Sequence, residues 1–203
     1  MIELSEAHEY KVDGVKYPGV TEIISHFGFS DFSKVPDHIL QPAIDFGNVV
    51  HEVVRLTELN DTANFNDDHK KIKKHWEDFK NSININNSII DIKTFKKPKY
   101  SNIIQIFGYK ILIEHADVLF WRSKQFIEQP IYSPNWGFCG KPDYFNTGKA
   151  GIKKLHILTI PDLSGFDAKK NVFTYDATKD KKWEDEFKYL LKVYQIQKRE
   201  GAI

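Results

Sequence analysis

Apolar positions along the chain recur with two periods. Phe46, Val49, Val50, Val53 and Val54 fall three and four apart, so they share one side of a helix expected from about Pro42 to Leu59. Ile72, Trp76 and Phe79 repeat that spacing within 68–80, and Ile104, Ile111 and Leu112 mark a helix over 101–116. Trp183, Phe187, Leu190, Leu191 and Tyr194 make the stripe of a last helix over 180–199, a pattern that reads as core packing. Elsewhere the runs are short and β-like. One covers 88–94; VLFW, QFIEQPIY, GFCGKPDYF and KLHILTI follow between 118 and 160, set apart in part by the turn clusters SPNWG and NTGKAG. Near the start, HEYKVDGVKY predicts a hairpin about Asp13-Gly14, ended by Pro18-Gly19, with Thr21 as the N-cap of a short helix. Residues 59–68 are acidic and rich in Asn, which marks a loop.

This order predicts an α/β (α+β) fold, a mixed β-sheet flanked by helices, with an N-terminal β-hairpin. The 203 residues suit one domain, 1–203, in which 1–35 form the hairpin and short helix and 36–203 the core. With 28% charged and 41% hydrophobic residues the composition is that of a folded, water-soluble chain. The net charge of +1 means that nucleic-acid binding needs a local basic patch. A lone cysteine, Cys139, excludes a disulfide framework and cysteine-ligated zinc or iron–sulfur centres. The N-terminus is acidic and polar, unlike a signal peptide, and no apolar run approaches the roughly 20 residues of a membrane helix. A cytoplasmic protein without membrane contact is expected.

The stretch SIIDIKTFKKPKY, 88–100, sets the chemistry. Strand side chains alternate, so Asp91 and Lys93 share one face while Ile90 and Ile92 share the other. A carboxylate that binds a divalent cation, beside an amine that orients water or steadies phosphate charge, suits metal-assisted phosphodiester cleavage. The plain alternative is an exposed ion pair worth about 0–1 kcal/mol in a structural α/β module. Thr94 and the lysines Lys96, Lys97 and Lys99 follow, placed to meet a nucleic-acid backbone. Gln105 and Tyr109 lie four apart and project from one helix face. In GFCGKPDYF, Asp143 follows two glycines that permit close backbone approach, and it is a second carboxylate for a hard cation such as Mg²⁺. In FGNVVHEVVR, Gly47 would let the helix pack closely on a sheet, bringing His51 near what the sheet presents. Glu128, in QFIEQPIY, is a further candidate.

Together these segments resemble the PD-(D/E)XK nuclease superfamily, in its phage-type and RecB-like exonuclease branch. HEYKVDGVKYPGVTEII is similar to that branch's opening hairpin and helix start, FGNVVHE to its Gly-x-x-x-His helix, and IYSPNWGFCGKPDYF to its strand pair with a metal-binding aspartate. IIDIKT resembles the D/E-x-K strand and QIFGY the Gln-x-x-x-Tyr helix motif. The motif order is permuted, since the D-x-K strand precedes the strand with the lone aspartate and LHILTIP stands where D-x-K is usual.

The resemblance implies a restriction-endonuclease-like fold and a metal-dependent DNA exonuclease of phage or bacterial recombination and repair. Mg²⁺ or Mn²⁺ would be held by His51, Asp91, Asp143 and the carbonyl of Ile92. Lys93 would assist the nucleophile, Gln105 and Tyr109 would organise DNA or the site, and Thr94, Lys96, Lys97 and Lys99 would meet the backbone. A recombination or single-strand-annealing protein is an implied partner, and a homo-oligomer is open. Two other readings stand beside it: an inactive nuclease-fold module that binds DNA or protein, and an endonuclease of restriction or repair type.

Overall fold

Asp13 and Gly14 carry φ of 49° and 82°. Two consecutive left-handed residues give the tight turn whose twist suits a two-residue hairpin. Strands β2 (Tyr10–Val12) and β3 (Val15–Tyr17) flank that turn, and β1 (Ile2–Leu4) pairs with β2. The computed structural model describes residues 1–5, 9–29, 34–116, 125–147 and 151–203, so the strand expected at 118–121 lies outside the described residues. Helix α1 (Val20–His26) starts after Gly19, and Thr21 sits inside it instead of capping it. The Glu22 carboxylate accepts from the Gly19 N–H at 3.4 Å, so the start is fixed from the first turn without a hydroxyl cap.

The remaining elements are α2 (Asp37–Glu58), α3 (Asp67–Ser82), β4 (Ser88–Lys93), α4 (Tyr100–Glu114), β5 (Gln125–Ile127), β6 (Ile131–Ser133), β7 (Phe138–Gly140), β8 (Tyr144–Asn146), β9 (Lys154–Thr159), α5 (Ala168–Asn171), β10 (Val172–Asp176) and α6 (Lys181–Arg199). The five-stranded sheet has the order β10-β9-β4-β8-β5. Its centre, β4, runs parallel to β9 with Lys93 opposite Thr159, and antiparallel to β8 with Ile90 opposite Tyr144. The ribbon β6–β7 stands apart from that sheet and is tied to the N-terminal segment where the Cys139 N–H donates to the Pro18 carbonyl at 2.9 Å. The fold is thus a mixed α/β arrangement, and among the described residues no helix is long and apolar enough to cross a membrane.

Side-chain alternation along β4 assigns the two layers. Ile89 packs with Phe145, Leu155 and Ile157 against α1, α4 and α6. Ile90 and Ile92 face the other way, with Tyr144 and Leu158, against Val50, Val53 and Val54 of α2 and Ile72, Trp76 and Phe79 of α3. Helix α2 begins five residues before Pro42. Its early turns are largely exposed, so the N–H that proline lacks is lost where water serves the carbonyl instead. Val49, expected on the buried stripe, is exposed. Helices α4 and α6 approach closely at Gly108, where an added Cβ would stand 2.7 Å from the Phe187 ring.

Candidate active site

Sheet order builds the site. Strands β4, β8 and β5 are neighbours, and β8 runs against both others, so the ends of β4 and β5 meet the start of β8 at one rim. Asp91 and Lys93 lie at that end of β4, Asp143 directly precedes β8, and Glu128 directly follows β5. The sequence places Asp143 in a strand; it stands at the bend before one. The Glu128 N–H donates to the Asp143 carbonyl at 2.9 Å, which extends the β5–β8 ladder by one bond. Helix α2 covers the rim and brings His51 to it. Ile92 and Asp143, 51 positions apart, are joined by a hydrogen bond of 2.6 Å from the Ile92 N–H to Asp143 Oδ2.

The other Asp143 oxygen, Oδ1, lies 3.3 Å from His51 Nδ1, and Glu128 Oε1 lies 3.9 Å from the same nitrogen. Lys141 holds the other Glu128 oxygen at 3.1 Å. Behind them, Lys93 Nζ donates to Asp91 Oδ1 at 2.9 Å. Asp91 is only 1% exposed, and its Oδ2 has no hydrogen-bond partner, an arrangement proteins avoid unless the group has a task. The exposed-strand reading of the Asp91–Lys93 pair is therefore overturned: β4 is buried on both faces, and a charge there is expensive.

Burial pushes the Asp91 carboxyl up to about 6, and Asp143 adds to that push while Lys93 and His51 oppose it. Asp143 goes the other way: burial would raise it, but His51, Lys93 and the Ile92 N–H hold it below the usual carboxylate range. Burial would likewise pull His51 and Lys93 down, yet the carboxylates facing them keep both above their ordinary values. Two acids in one site are thus driven apart, one ionised and one titrating near neutrality, the separation seen where carboxyls take different tasks.

A pocket of about 320 Å³ opens onto His51, Tyr109, Glu128, Lys141 and Asp143. Tyr10, Thr21, Asn48 and Glu52 complete its wall, and these the sequence reading missed. Tyr10 and Thr21 belong to the N-terminal hairpin and α1, which nothing in their local pattern ties to the acid-bearing strands. Lys141 had a signal, since it lies two residues before Asp143. Asp91 and Lys93 sit beneath the pocket instead of lining it. Tyr109 accepts from Gln105 Nε2 at 3.0 Å, so the two residues read as a pair are a pair, and burial holds the Tyr109 phenol well above its usual value.

Other expectations separate. Ile92 enters through its N–H, although a strand residue aims its N–H and C=O at the same neighbour, so its carbonyl faces the Asp143 side too. Gly47 is not a packing necessity: a Cβ there would meet Thr94 Oγ1 at an ordinary 3.6 Å. It does place Thr94 against α2. Lys96 and Lys97 line a second depression of about 490 Å³ with Pro161, Lys169 and Lys170, away from His51. Lys99 is the N-cap of α4, where its N–H donates to Asn102 Oδ1 at 2.7 Å.

His51, Asp91 and Asp143 offer one nitrogen and two carboxylates, the donor chemistry a hard divalent cation takes, and the orphaned Asp91 oxygen fits such a ligand. Among the described residues, no three His, Cys, Asp or Glu side chains stand as a closed ligand set. Here Asp91 turns to Lys93, and Asp143 to the Ile92 N–H and His51. No protein-family model, curated protein or solved structure matches this chain.

Proposed function

We propose that this chain is a Mg²⁺- or Mn²⁺-dependent deoxyribonuclease of the PD-(D/E)XK type, an exonuclease in preference to an endonuclease. One observation carries the reading: Asp91–Lys93 and Asp143, about fifty residues apart, meet at one rim of the sheet beneath His51. An accidental D-x-K has no reason to be buried there, next to a second carboxylate and a histidine. Asp91, Asp143 and His51 would hold the cation, with the Ile92 carbonyl as a further donor. When bound, it supplies a water whose pKa falls from about 15.7 toward about 7. Lys93, beside Asp91, would assist the nucleophile by orienting the attacking water or steadying charge on the phosphate. Glu128, pinned by Lys141 and facing His51, orients the imidazole. The lysines of the 94–99 loop meet the backbone without reading bases.

The test is digestion of linear and closed-circular DNA with Mg²⁺ or Mn²⁺. Linear DNA should be degraded and the closed circle spared, and Asp91→Ala and Lys93→Ala should each lower the rate at least a hundredfold. Undiminished cleavage by both variants would refute the assignment. A second reading, a nuclease fold that binds DNA without cutting it, draws support from the contacts that occupy both aspartates, Lys93 on Asp91 and His51 with the Ile92 N–H on Asp143. Calorimetric titration with Mn²⁺ separates the two, since a non-cutting module of this kind takes up no cation.

A further inference from the structure

Lys93 at the rim and Tyr100 at the start of α4 are the two ends of one loop that carries Lys96, Lys97 and Lys99. Seven residue steps reach at most about 25 Å, so whatever lies at Tyr100 stands within that distance of the rim. What lies there is aromatic. Tyr100 is 42% exposed and Phe29 38% exposed, and their ring centroids are 5.3 Å apart. Trp183 of α6 backs Tyr100 edge-on at 5.3 Å, and Lys182 Nζ lies 4.6 Å over the indole. Burial, with Glu186 nearby, raises the Tyr100 phenol above its ordinary value, and the packing against Phe29 and Trp183 is what holds the ring. Three elements distant in sequence therefore hold two large rings open to solvent, braced from behind, beside a run of lysines. Exposed rings set next to positive charge suit bases and phosphates together, and a ring already held in place gives up little freedom on binding.

We propose that Phe29 and Tyr100 form a stacking surface for the bases of single-stranded DNA, with the Lys96–Lys99 loop following its phosphates toward the rim. The assignment rests on the nuclease reading for the direction in which the strand runs, and it names the substrate form. A duplex hides its base faces in its own stack, so only a single strand, or a frayed end, can use these rings. At about 3.4 Å per stacked nucleotide, the loop's reach allows at most about seven nucleotides between the rings and the rim.

Fluorescence anisotropy of labelled oligothymidylate, the matching duplex and an abasic oligomer of equal length, all in EDTA, tests this without any cleavage. Tyr100→Ala and Phe29→Ala should each weaken oligothymidylate binding about tenfold, the worth of one stacked base, and leave duplex binding unchanged. The unaltered chain should bind the abasic oligomer as weakly as the double variant Tyr100→Ala with Phe29→Ala binds oligothymidylate, and Tyr100→Phe should bind as the unaltered chain does. Equal affinity in all variants, an equal loss toward duplex or abasic oligomer, or no single-strand binding by the unaltered chain would overturn the proposal. A failure of cleavage with stacking intact would strike the nuclease reading alone.

Discussion

His156 lies on β9 with Nδ1 2.9 Å from the Thr174 hydroxyl and Nε2 3.4 Å from that of Ser88. It is 3% exposed, and burial, helped by Lys154, pulls its pKa down to about 4. The unfolded chain would titrate near 6.5, so between pH 6.5 and 4 the unfolded state binds the extra proton and the folded state refuses it. Stability is then full above 6.5 and falls as pH drops toward 4, by up to about 3 kcal/mol from this group. Chemical unfolding of the wild-type chain and of His156→Phe across that range checks the sign. The variant should lose less stability than the wild type on acidification, and parallel pH profiles would show that the ring is not the source. Asp91 is a buried acid whose pKa burial raises to about 6, so its acid titration runs the other way from that of His156.

At the scale of elements, glycines divide into those that geometry demands and those it does not. Gly108 on α4 faces the Phe187 ring of α6 with no room for a methyl, and that ring is wholly buried. Gly108→Ala should therefore destabilise by about 1–2 kcal/mol, overpacking outweighing the gain in helix propensity. Gly47→Ala on α2 meets only ordinary contact and should raise stability by up to about 1 kcal/mol. Thermal melts of the two variants should move in opposite directions, and a shared direction would defeat the argument. Long helices were legible: α3 and α6, with one apolar stripe each, and α4, buried nearly all round, match their expected bounds to within two residues. In α3 and α6 the apolar spacing is set by the buried face itself. The strand β10 and the short α5 were not legible, since VFTYD at the sheet edge is only half-buried and shows no clean alternation. The start of α2 escaped because its first turns are exposed and carry no apolar period.

For the whole molecule, the site was legible as residues and not as a place. Asp91, Lys93, Asp143 and His51 stood out by type and spacing, but their meeting depends on β8 inserting between β4 and β5, a long-range pairing that no local pattern records. The pocket walls from Tyr10 and Thr21 were invisible for the same reason. Charge obeys a similar rule: with a net charge of +1, the chain as a whole offers no field to draw in DNA, so attraction has to come from where the lysines are grouped. Lys96 and Lys97 share their depression with Lys169 and Lys170, with Asp162 and Asp167 beside them. If the first two contact phosphates of a single strand, each accounts for about 0.7 of the slope of log affinity against log salt. Lys96→Gln with Lys97→Gln should then flatten that slope by about 1.4 while weakening binding to all sequences alike. Anisotropy titrations of oligothymidylate and oligodeoxyadenylate at several salt concentrations measure it. An unchanged slope would move the phosphate path off this loop, and a loss confined to one base would mean that the lysines read sequence after all.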